Sequence, residues 1–374
     1  MNETISTYLQ SRIDAGDFPS AVYLVGEKGE IKFQDALGYA VVEPERIEAR
    51  LDTIYDVASL TKVLITGLVI TKLIEDGELD PNARIGDLLN EFYTSAYAEV
   101  TVNDLVMHIS GLPAWKPFYL LVEDPDQIAE EIARSLPDAD QQPVTYSDLN
   151  FIALEQIVES LTGVTLSDHA EEVILRPLGL RDTCFNPPAD LRPRIAANEH
   201  GNEYEKQTCV ELDYLKEPPE DGTQKYFRDG TIWGEVHDGN AYFKGGIAGH
   251  AGLFSTAGEV FRIAAQFLPN FTQILKPETC DLFRTNFTKG FNEDRSFGFQ
   301  LASTEGSTAG TRMSLESFGH NGFTGTSLWI DPVHERIFVL LTNRTHAHPL
   351  PFVNINPARR RFHDLSIDVL DKNT

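Results

Sequence analysis

The amino-acid sequence predicts an α/β lobe joined to an all-α lobe: a central antiparallel sheet, flanked by helices, is built from both chain ends, and a helical lobe is inserted between them. Three observations point there. Strand and hairpin patterns occur over Ala21 to Phe33 and return over Phe297 to Leu301, Thr326 to Ile330 and Ile337 to Thr342. Helical periodicity dominates most of the stretch between them. A helix is expected at each terminus, so the two ends are expected to pack on one shared sheet.

Taken in order, Ile5, Leu9 and Ile13 stand at helical spacing in the first element. Ala21 to Val25 and Glu30 to Phe33 flank Glu27-Lys28-Gly29, where the glycine tolerates the positive φ of a tight hairpin turn. From Ser59 to about Asp76, Leu64, Leu68, Ile70, Leu73 and Ile74 make a helix apolar on nearly every side, which is expected to be buried. Thr101 with Asp104 starts a further helix as a capping box, and Leu154, Ile157, Val158 and Leu161 lead into a stop at Gly163. Between Pro187 and Tyr242 periodicity fades into segments such as Lys216-Glu217-Pro218-Pro219-Glu220, an excursion long enough to cover a cleft. Asp331-Pro332 turns between two late strands, and Asn356 and Pro357 are placed at N-cap and N1 of a closing helix with Phe362, Leu365 and Leu370. The expected division is 1–58 with 225–374 as the α/β lobe, 59–190 as the mainly helical lobe and 191–224 as an irregular excursion near the cleft. A site is expected at the junction of the lobes.

Composition narrows the function. At 374 residues, 41% hydrophobic and 24% charged, the chain can bury a full active site. Its 57 acidic against 31 basic residues give a net charge of −26, which repels phosphate backbones, so nucleic acid is not an expected partner. Cys184, Cys209 and Cys280 are odd in number and far apart, which argues for reduced thiols in a cytoplasmic protein rather than disulfides or a zinc site. Met1-Asn2-Glu3-Thr4 lacks a signal-peptide pattern and the apolar stretch Val63 to Ile70 is broken by Thr66 and Gly67, so no membrane span is expected. No cofactor or metal is expected: nucleophile-elbow, phosphate-loop and His-Glu-x-x-His motifs are absent, and His346-Ala347-His348 is read as an exposed loop.

Ser59 and Lys62 lie three apart at the first turn of the buried helix, so their side chains share a face. A lysine made neutral by burial could take the serine proton, and the helix N-terminus favours negative charge developing at the serine oxygen. Ser-x-x-Lys alone is common, and a serine at a helix start is usually a cap. Two further segments add weight. Tyr146-Ser147-Asp148 precedes the helix of Leu154: Tyr146 could shuttle a proton, and Asp148 could hold Lys62 or a substrate amide, unless Ser147 is simply the helix cap and Tyr146 a staple. His320-Asn321-Gly322-Phe323-Thr324-Gly325 leads into a strand: its glycines admit a substrate close to the backbone, and an N–H near Phe323 could join that of Ser59 as an oxyanion hole.

Ser-x-x-Lys, a tyrosine-led second element and a third element near the last strands, in this order, resemble the signature of penicillin-recognising serine enzymes. The sequence is similar to the β-lactamase-related serine hydrolases, the branch of class C β-lactamases, D,D-peptidases and esterases, from about Phe18 to the end. His108-Ile109-Ser110-Gly111-Leu112-Pro113 and the glycine-rich Gly245 to Thr256 resemble further elements of that family. The resemblance implies a β-lactamase/transpeptidase-like fold, Ser59 as acylated nucleophile, Lys62 as its proton acceptor, Tyr146 as acid/base partner and His320 facing the substrate. Asp148, Asn321, Gly322 and Phe323 complete the expected binding and oxyanion set.

Two positions depart from the class C pattern: Asp148 stands in place of asparagine, and His320-Asn321-Gly322 in place of Lys-Thr-Gly. Histidine is largely neutral at pH 7 and Asp148 adds negative charge, so a small ester or amide is favoured as substrate over a typical β-lactam. D,D-carboxypeptidase, D-amino-acid peptidase or weak β-lactamase activity is the alternative within the same chemistry, and a non-catalytic ligand-binding module is the alternative outside it. Gly234-Glu235-Val236-His237-Asp238-Gly239-Asn240 is a candidate cleft lining, and His108 and His250 are read as turn or supporting residues.

Overall fold

The computed structural model describes residues 1–137, 141–219 and 226–372. In chain order its strands are β1 (Ser20–Glu27), β2 (Glu30–Val41), β3 (Ile47–Glu48), β4 (Tyr55–Asp56), β5 (Cys184–Phe185), β6 (Leu253–Ser255), β7 (Gln300–Leu301), β8 (Phe318–Asn321), β9 (Ser327–Asp331) and β10 (Arg336–Thr342). Lys28 and Gly29 both take positive φ, 54° and 76°, and this turn twists in the sense that a β1–β2 hairpin needs. On its other edge β1 pairs antiparallel with β10, from Ala21 opposite Thr342 to Glu27 opposite Arg336. The two chain ends therefore meet at the centre of a seven-stranded sheet of order β3-β2-β1-β10-β9-β8-β7, antiparallel at every pairing.

The period of two in these strands divides the core. Ala21, Tyr23 and Val25 of β1, with Phe338 and Leu340 of β10, pack with Ile5 and Leu9 of the first helix (Glu3–Asp14) and Phe362 and Leu365 of the closing helix (Asn356–Lys372). Val22, Leu24, Val339 and Leu341 face the opposite way, toward Leu64, Leu68, Val260 and Ile263. Both faces are covered, so the central strands are buried along nearly their whole length.

The helical elements carry their expected local signals. Thr101 and Asp104 form both halves of a capping box, with Thr101 N–H to Asp104 Oδ2 at 2.8 Å and Asp104 N–H to Thr101 Oγ1 at 3.2 Å. The helix Asp148–Thr162 ends on Gly163 at φ 72°, the left-handed conformation that glycine adopts without a Cβ penalty.

Three expectations are corrected. Phe297 to Leu301 is not a full strand: Gly298 at φ 83° breaks the extended backbone, and only Gln300–Leu301 pairs, while Phe299 turns into a cluster with Phe267, Phe283 and Phe318. The closing helix begins one residue earlier than read, with Asn356 already helical and Ile355 offering its carbonyl to the Arg359 N–H at 3.0 Å. The excursion is not wholly irregular, because it holds the helix Glu203–Glu211, which has no amphipathic repeat to announce it and is anchored by buried Cys209. Residues 220–225, at the end of the expected excursion, lie outside the described residues.

Asn343, just beyond β10 and 1% exposed, ties three segments together. Its Oδ1 accepts the Ser20 N–H and hydroxyl at 3.1 and 2.6 Å, and its Nδ2 donates to the Ala40 and Ala197 carbonyls at 2.9 and 3.3 Å. Asn343→Ala leaves several buried polar groups unpaired and is expected to lower unfolding stability by about 3 kcal/mol. A denaturation measurement showing a loss under about 1 kcal/mol would contradict this role.

Candidate active site

A short strand feeds the turn that carries Ser59. After β4, Ala58 adopts φ 48°, a left-handed conformation uncommon for a non-glycine residue, and Ser59 follows it at the start of the buried helix. Lys62–Thr66 forms a π turn in which the Gly67 N–H reaches back to the Lys62 carbonyl, and Gly67–Glu75 continues as α-helix. Such widened turns recur at functional sites.

Lys62 is fully buried. Its Nζ lies 3.0 Å from Ser59 Oγ, 3.0 Å from the His250 carbonyl and 2.7 Å from Asp148 Oδ1. Burial pushes the lysine pKa down, but the adjacent Asp148 and Tyr146 outweigh burial and hold it above the ordinary 10.5. The expectation of a lysine made neutral by burial is therefore reversed in the resting site, where Asp148 and Tyr146 together favour the ammonium.

Tyr146 and Asp148 reach the site through the turn before the helix Asp148–Thr162. That turn is strapped to the His108–Ala114 segment: Ser147 N–H donates to His108 Nδ1 at 3.0 Å, Ser147 Oγ donates to the Pro113 carbonyl at 2.5 Å, and Asp148 N–H donates to the Ala114 carbonyl at 2.9 Å. Ser147 makes no side-chain cap, which removes the simple capping explanation for this motif. Tyr146 lies against His108 and His320, ring centroids 4.7 and 5.6 Å away, and its hydroxyl interacts with both Lys62 and Ser59. Burial pushes its pKa up, with Lys62 pulling the other way.

β8 supplies the opposite wall. His320 is 5% exposed, and burial together with Lys62 and Arg295 holds its pKa well below the usual value, so it is neutral. Gly322 must be glycine: a Cβ there would stand 2.0 Å from Thr326 Oγ1 and 2.6 Å from the Val57 carbonyl. This close approach brings the β8 turn against the turn that carries Ser59. The Gly322 N–H is bonded to the Thr326 carbonyl at 2.8 Å, whereas among the described residues the N–H groups of Ser59 and Phe323 have no acceptor. Asn321 spends its amide on Thr308, donating to Oγ1 at 2.9 Å.

Ser59, Tyr146, Asp148, His320, Asn321, Gly322 and Phe323 all line one cleft of about 600 Å³, with Lys62 beneath it. The helix Glu203–Glu211 contributes Tyr204, Glu205 and Thr208 to its wall. His237 and Asp238, from the polar segment singled out in the sequence, line it too.

Glu205, Arg344 and Arg359 escaped the sequence reading, which had named Asp238 and His250. Glu205 accepts the Gly239 N–H at 2.7 Å and the Tyr119 hydroxyl at 2.8 Å, and burial with nearby Asp238 pushes its pKa up to about 7. Asp238 Oδ1 meets His250 Nε2 at 2.9 Å; burial opposes its ionisation, but His250 wins and holds the carboxyl below the usual range. Asp148, Asp238 and His250 place ligand-type atoms within 4.8 Å of one another, and the positive charge beside them is Lys62. Arg344 and Arg359 line the cleft without a carboxylate partner among the described residues, and burial with Arg344 nearby lowers Arg359 to about 9. These residues come from segments with no shared motif, so only the folded chain brings them together.

His346 is corrected from an exposed loop position: it is 2% exposed, accepting the Val42 N–H at Nε2 (2.8 Å) and donating from Nδ1 to the Asn198 carbonyl (2.8 Å). Both ring nitrogens are spent on backbone. The three cysteines are free thiols. Among the described residues no helix is long and apolar enough to cross a membrane.

With this geometry in place, comparison with known proteins identifies the class. The beta-lactamase family model matches residues 5–358, and the chain belongs to that family. A putative D-alanyl-D-alanine carboxypeptidase of Escherichia coli (strain K12) is 33% identical over 377 residues, covering 91% of this chain and 81% of that protein. The solved structure of EstCE1, a hydrolase with promiscuous acyltransferase activity, superposes with a TM-score of 0.73 at 21% identity, covering 96% of this chain and 97% of the other. A class C beta lactamase from Rhodobacter sphaeroides gives a TM-score of 0.73 at 18% identity, covering 99% and 100%. The fold is thus of the β-lactamase/transpeptidase type.

Because the folded-state pKa of Lys62 lies above 10.5, its ion pair contributes stability that is fully present below pH 10.5 and is lost as pH rises through the folded value. Asp148→Asn strands a buried ammonium and is expected to cost about 3 kcal/mol at pH 7, the deficit shrinking as pH rises through the variant's lysine pKa, which burial then lowers. Denaturation of both proteins across pH 6–11 checks this; a deficit that grows with pH would contradict the ion-pair assignment.

Proposed function

We propose that this protein is a serine hydrolase that works through an acyl-enzyme on Ser59, acting on a small ester or amide without a metal. The observation that carries the reading is Lys62 Nζ 3.0 Å from Ser59 Oγ, beneath a cleft lined by Ser59 and Phe323, whose backbone N–H groups have no acceptor among the described residues. Ser59 Oγ attacks the substrate carbonyl carbon while its proton passes to Lys62 in its free-amine form. The N–H groups of Ser59 and Phe323 receive the negative charge on the carbonyl oxygen. Tyr146, in contact with both Ser59 and Lys62, passes a proton to the leaving group. Water then repeats the sequence in reverse and releases the acid.

His320 and Asp148 supply no positive charge for a substrate carboxylate, which supports an uncharged ester or amide. A second reading rests on Arg344, whose Nη2 has no partner among the described residues, and on Arg359 beside it. Both line the cleft near Phe323 and could receive the carboxyl end of a peptide, in keeping with similarity to putative D-alanyl-D-alanine carboxypeptidases.

Intact-mass measurement after fluorophosphonate treatment should show one adduct, on Ser59, that is absent from Ser59→Ala. Tyr146→Phe is expected to lower kcat on p-nitrophenyl acetate about 100-fold. Side-by-side rates on p-nitrophenyl acetate, nitrocefin and a D-Ala-D-Ala peptide rank the substrates, and activity surviving in Ser59→Ala would favour a binding module that turns nothing over at this centre.

A further inference from the structure

The two unpaired N–H groups of the cleft lie on different segments, and one buried carboxylate touches the scaffolding of both. Asp56 is 3% exposed and closes β4, three residues before Ser59. Its Oδ1 accepts the Ala58 N–H at 2.8 Å, holding the left-handed residue that immediately precedes the nucleophile. Its Oδ2 accepts the His237 N–H at 2.7 Å. The His237 ring, fixed at Nε2 by Glu199 Oε1 at 2.8 Å, stacks on the Phe323 ring with centroids 5.4 Å apart and planes 28° apart. Phe323 is held from another side by Arg344, which donates from Nε to its carbonyl at 2.7 Å.

The backbone of Asp56 completes the link. Its carbonyl accepts the Thr324 hydroxyl at 2.8 Å, and the next carbonyl, of Val57, accepts the Thr326 hydroxyl at 2.9 Å. The β8 turn and the nucleophile turn are therefore stitched side by side, with the Asp56 carboxylate fixing the residue before Ser59 and, through His237, the ring of Phe323. The geometry points to Asp56 as a positioning residue of the oxyanion hole: it sets the aim of both N–H donors while touching neither the substrate carbonyl nor the serine oxygen. This rests on the acyl-enzyme reading of Ser59. A carboxylate suits the task because each oxygen accepts one backbone N–H and the charge strengthens both bonds. Asparagine could serve only one of them, since its amino group would confront the other N–H donor to donor.

Asp56→Asn is expected to lower kcat on p-nitrophenyl acetate about 100-fold, with KM changed less than about threefold, because the hole acts on the transition state. The inhibition constant of phenylboronic acid, which places an oxygen in the hole once bound to Ser59, should rise by a similar factor. A folded variant with kcat and boronate affinity within about threefold of wild type would overturn the proposal. Should Asp56→Asn fail to fold, His237→Ala and His237→Phe decide instead: both keep the backbone bond to Asp56, but only phenylalanine restores the stack on Phe323. The alanine variant is expected to lose about tenfold in kcat and boronate affinity and the phenylalanine variant to recover most of it; equal activities would overturn the proposal. Fluorophosphonate labelling of wild-type Ser59 separates the two levels. Without labelling the acyl-enzyme reading itself falls, whereas labelling together with unaffected variants removes only the role of Asp56.

Discussion

The site depends on a buried ammonium. Lys62 is fully buried, and its charge is supported by Asp148 at 2.7 Å and by Tyr146, with the His250 carbonyl and the Ser59 hydroxyl as hydrogen-bond partners of Nζ. The contacts of this one ammonium tie together Ser59, the turn that carries Tyr146 and Asp148, and the glycine-rich segment that carries His250. Around it the neutral histidines His108 and His320 become intelligible: a second buried cation beside Lys62 would be repelled, and both rings are held uncharged by burial and by the lysine and Arg295. Charge is distributed across the cleft accordingly, with Asp148 and Asp238 near the ammonium, Arg295 paired with Glu293 beside Tyr146, and Arg344 and Arg359 at the wall near Phe323.

The sheet explains how such a pairing is held. β1 and β10 join the chain ends, β8 and β9 extend the sheet to the cleft, and the β8 turn meets the turn that carries Ser59 so closely that Gly322 has no room for a methyl group. The helix Asp148–Thr162 and the turn before it present Asp148 and Tyr146 from the other side, and that turn is strapped to three residues of another segment, His108, Pro113 and Ala114. Neither half makes the site alone.

Much of this was legible in the sequence because it is written in short-range signals. Hairpin turns, the Thr101 capping box and the Gly163 stop are local, and Ser59, Tyr146 and His320 stand in three compact motifs whose order is itself informative. What was not legible is what depends on long-range company. The protonation of Lys62 turns on a residue 86 positions away, and a lysine in an apolar helix looks neutral until that partner is placed. Asp56 reads as an ordinary strand residue until His237 arrives from 181 positions along the chain, and the helix Glu203–Glu211 has no apolar stripe for periodicity to find. The Gly298 kink shortened an expected strand because one left-handed residue overrides three apolar neighbours, Phe297, Phe299 and Leu301.

The most direct test of the account is the pH dependence of Ser59 acylation by a fluorophosphonate in wild type and in Asp148→Asn. If Lys62 must lose its proton to activate Ser59, the rate rises with pH through the lysine pKa, which Asp148 holds above 10.5. Replacing the carboxylate leaves burial to dominate, so the ascending limb is expected to move to lower pH in the variant. An ascending limb that stays where it is, or moves to higher pH, would contradict the claim that the Lys62–Asp148 pair governs the nucleophile.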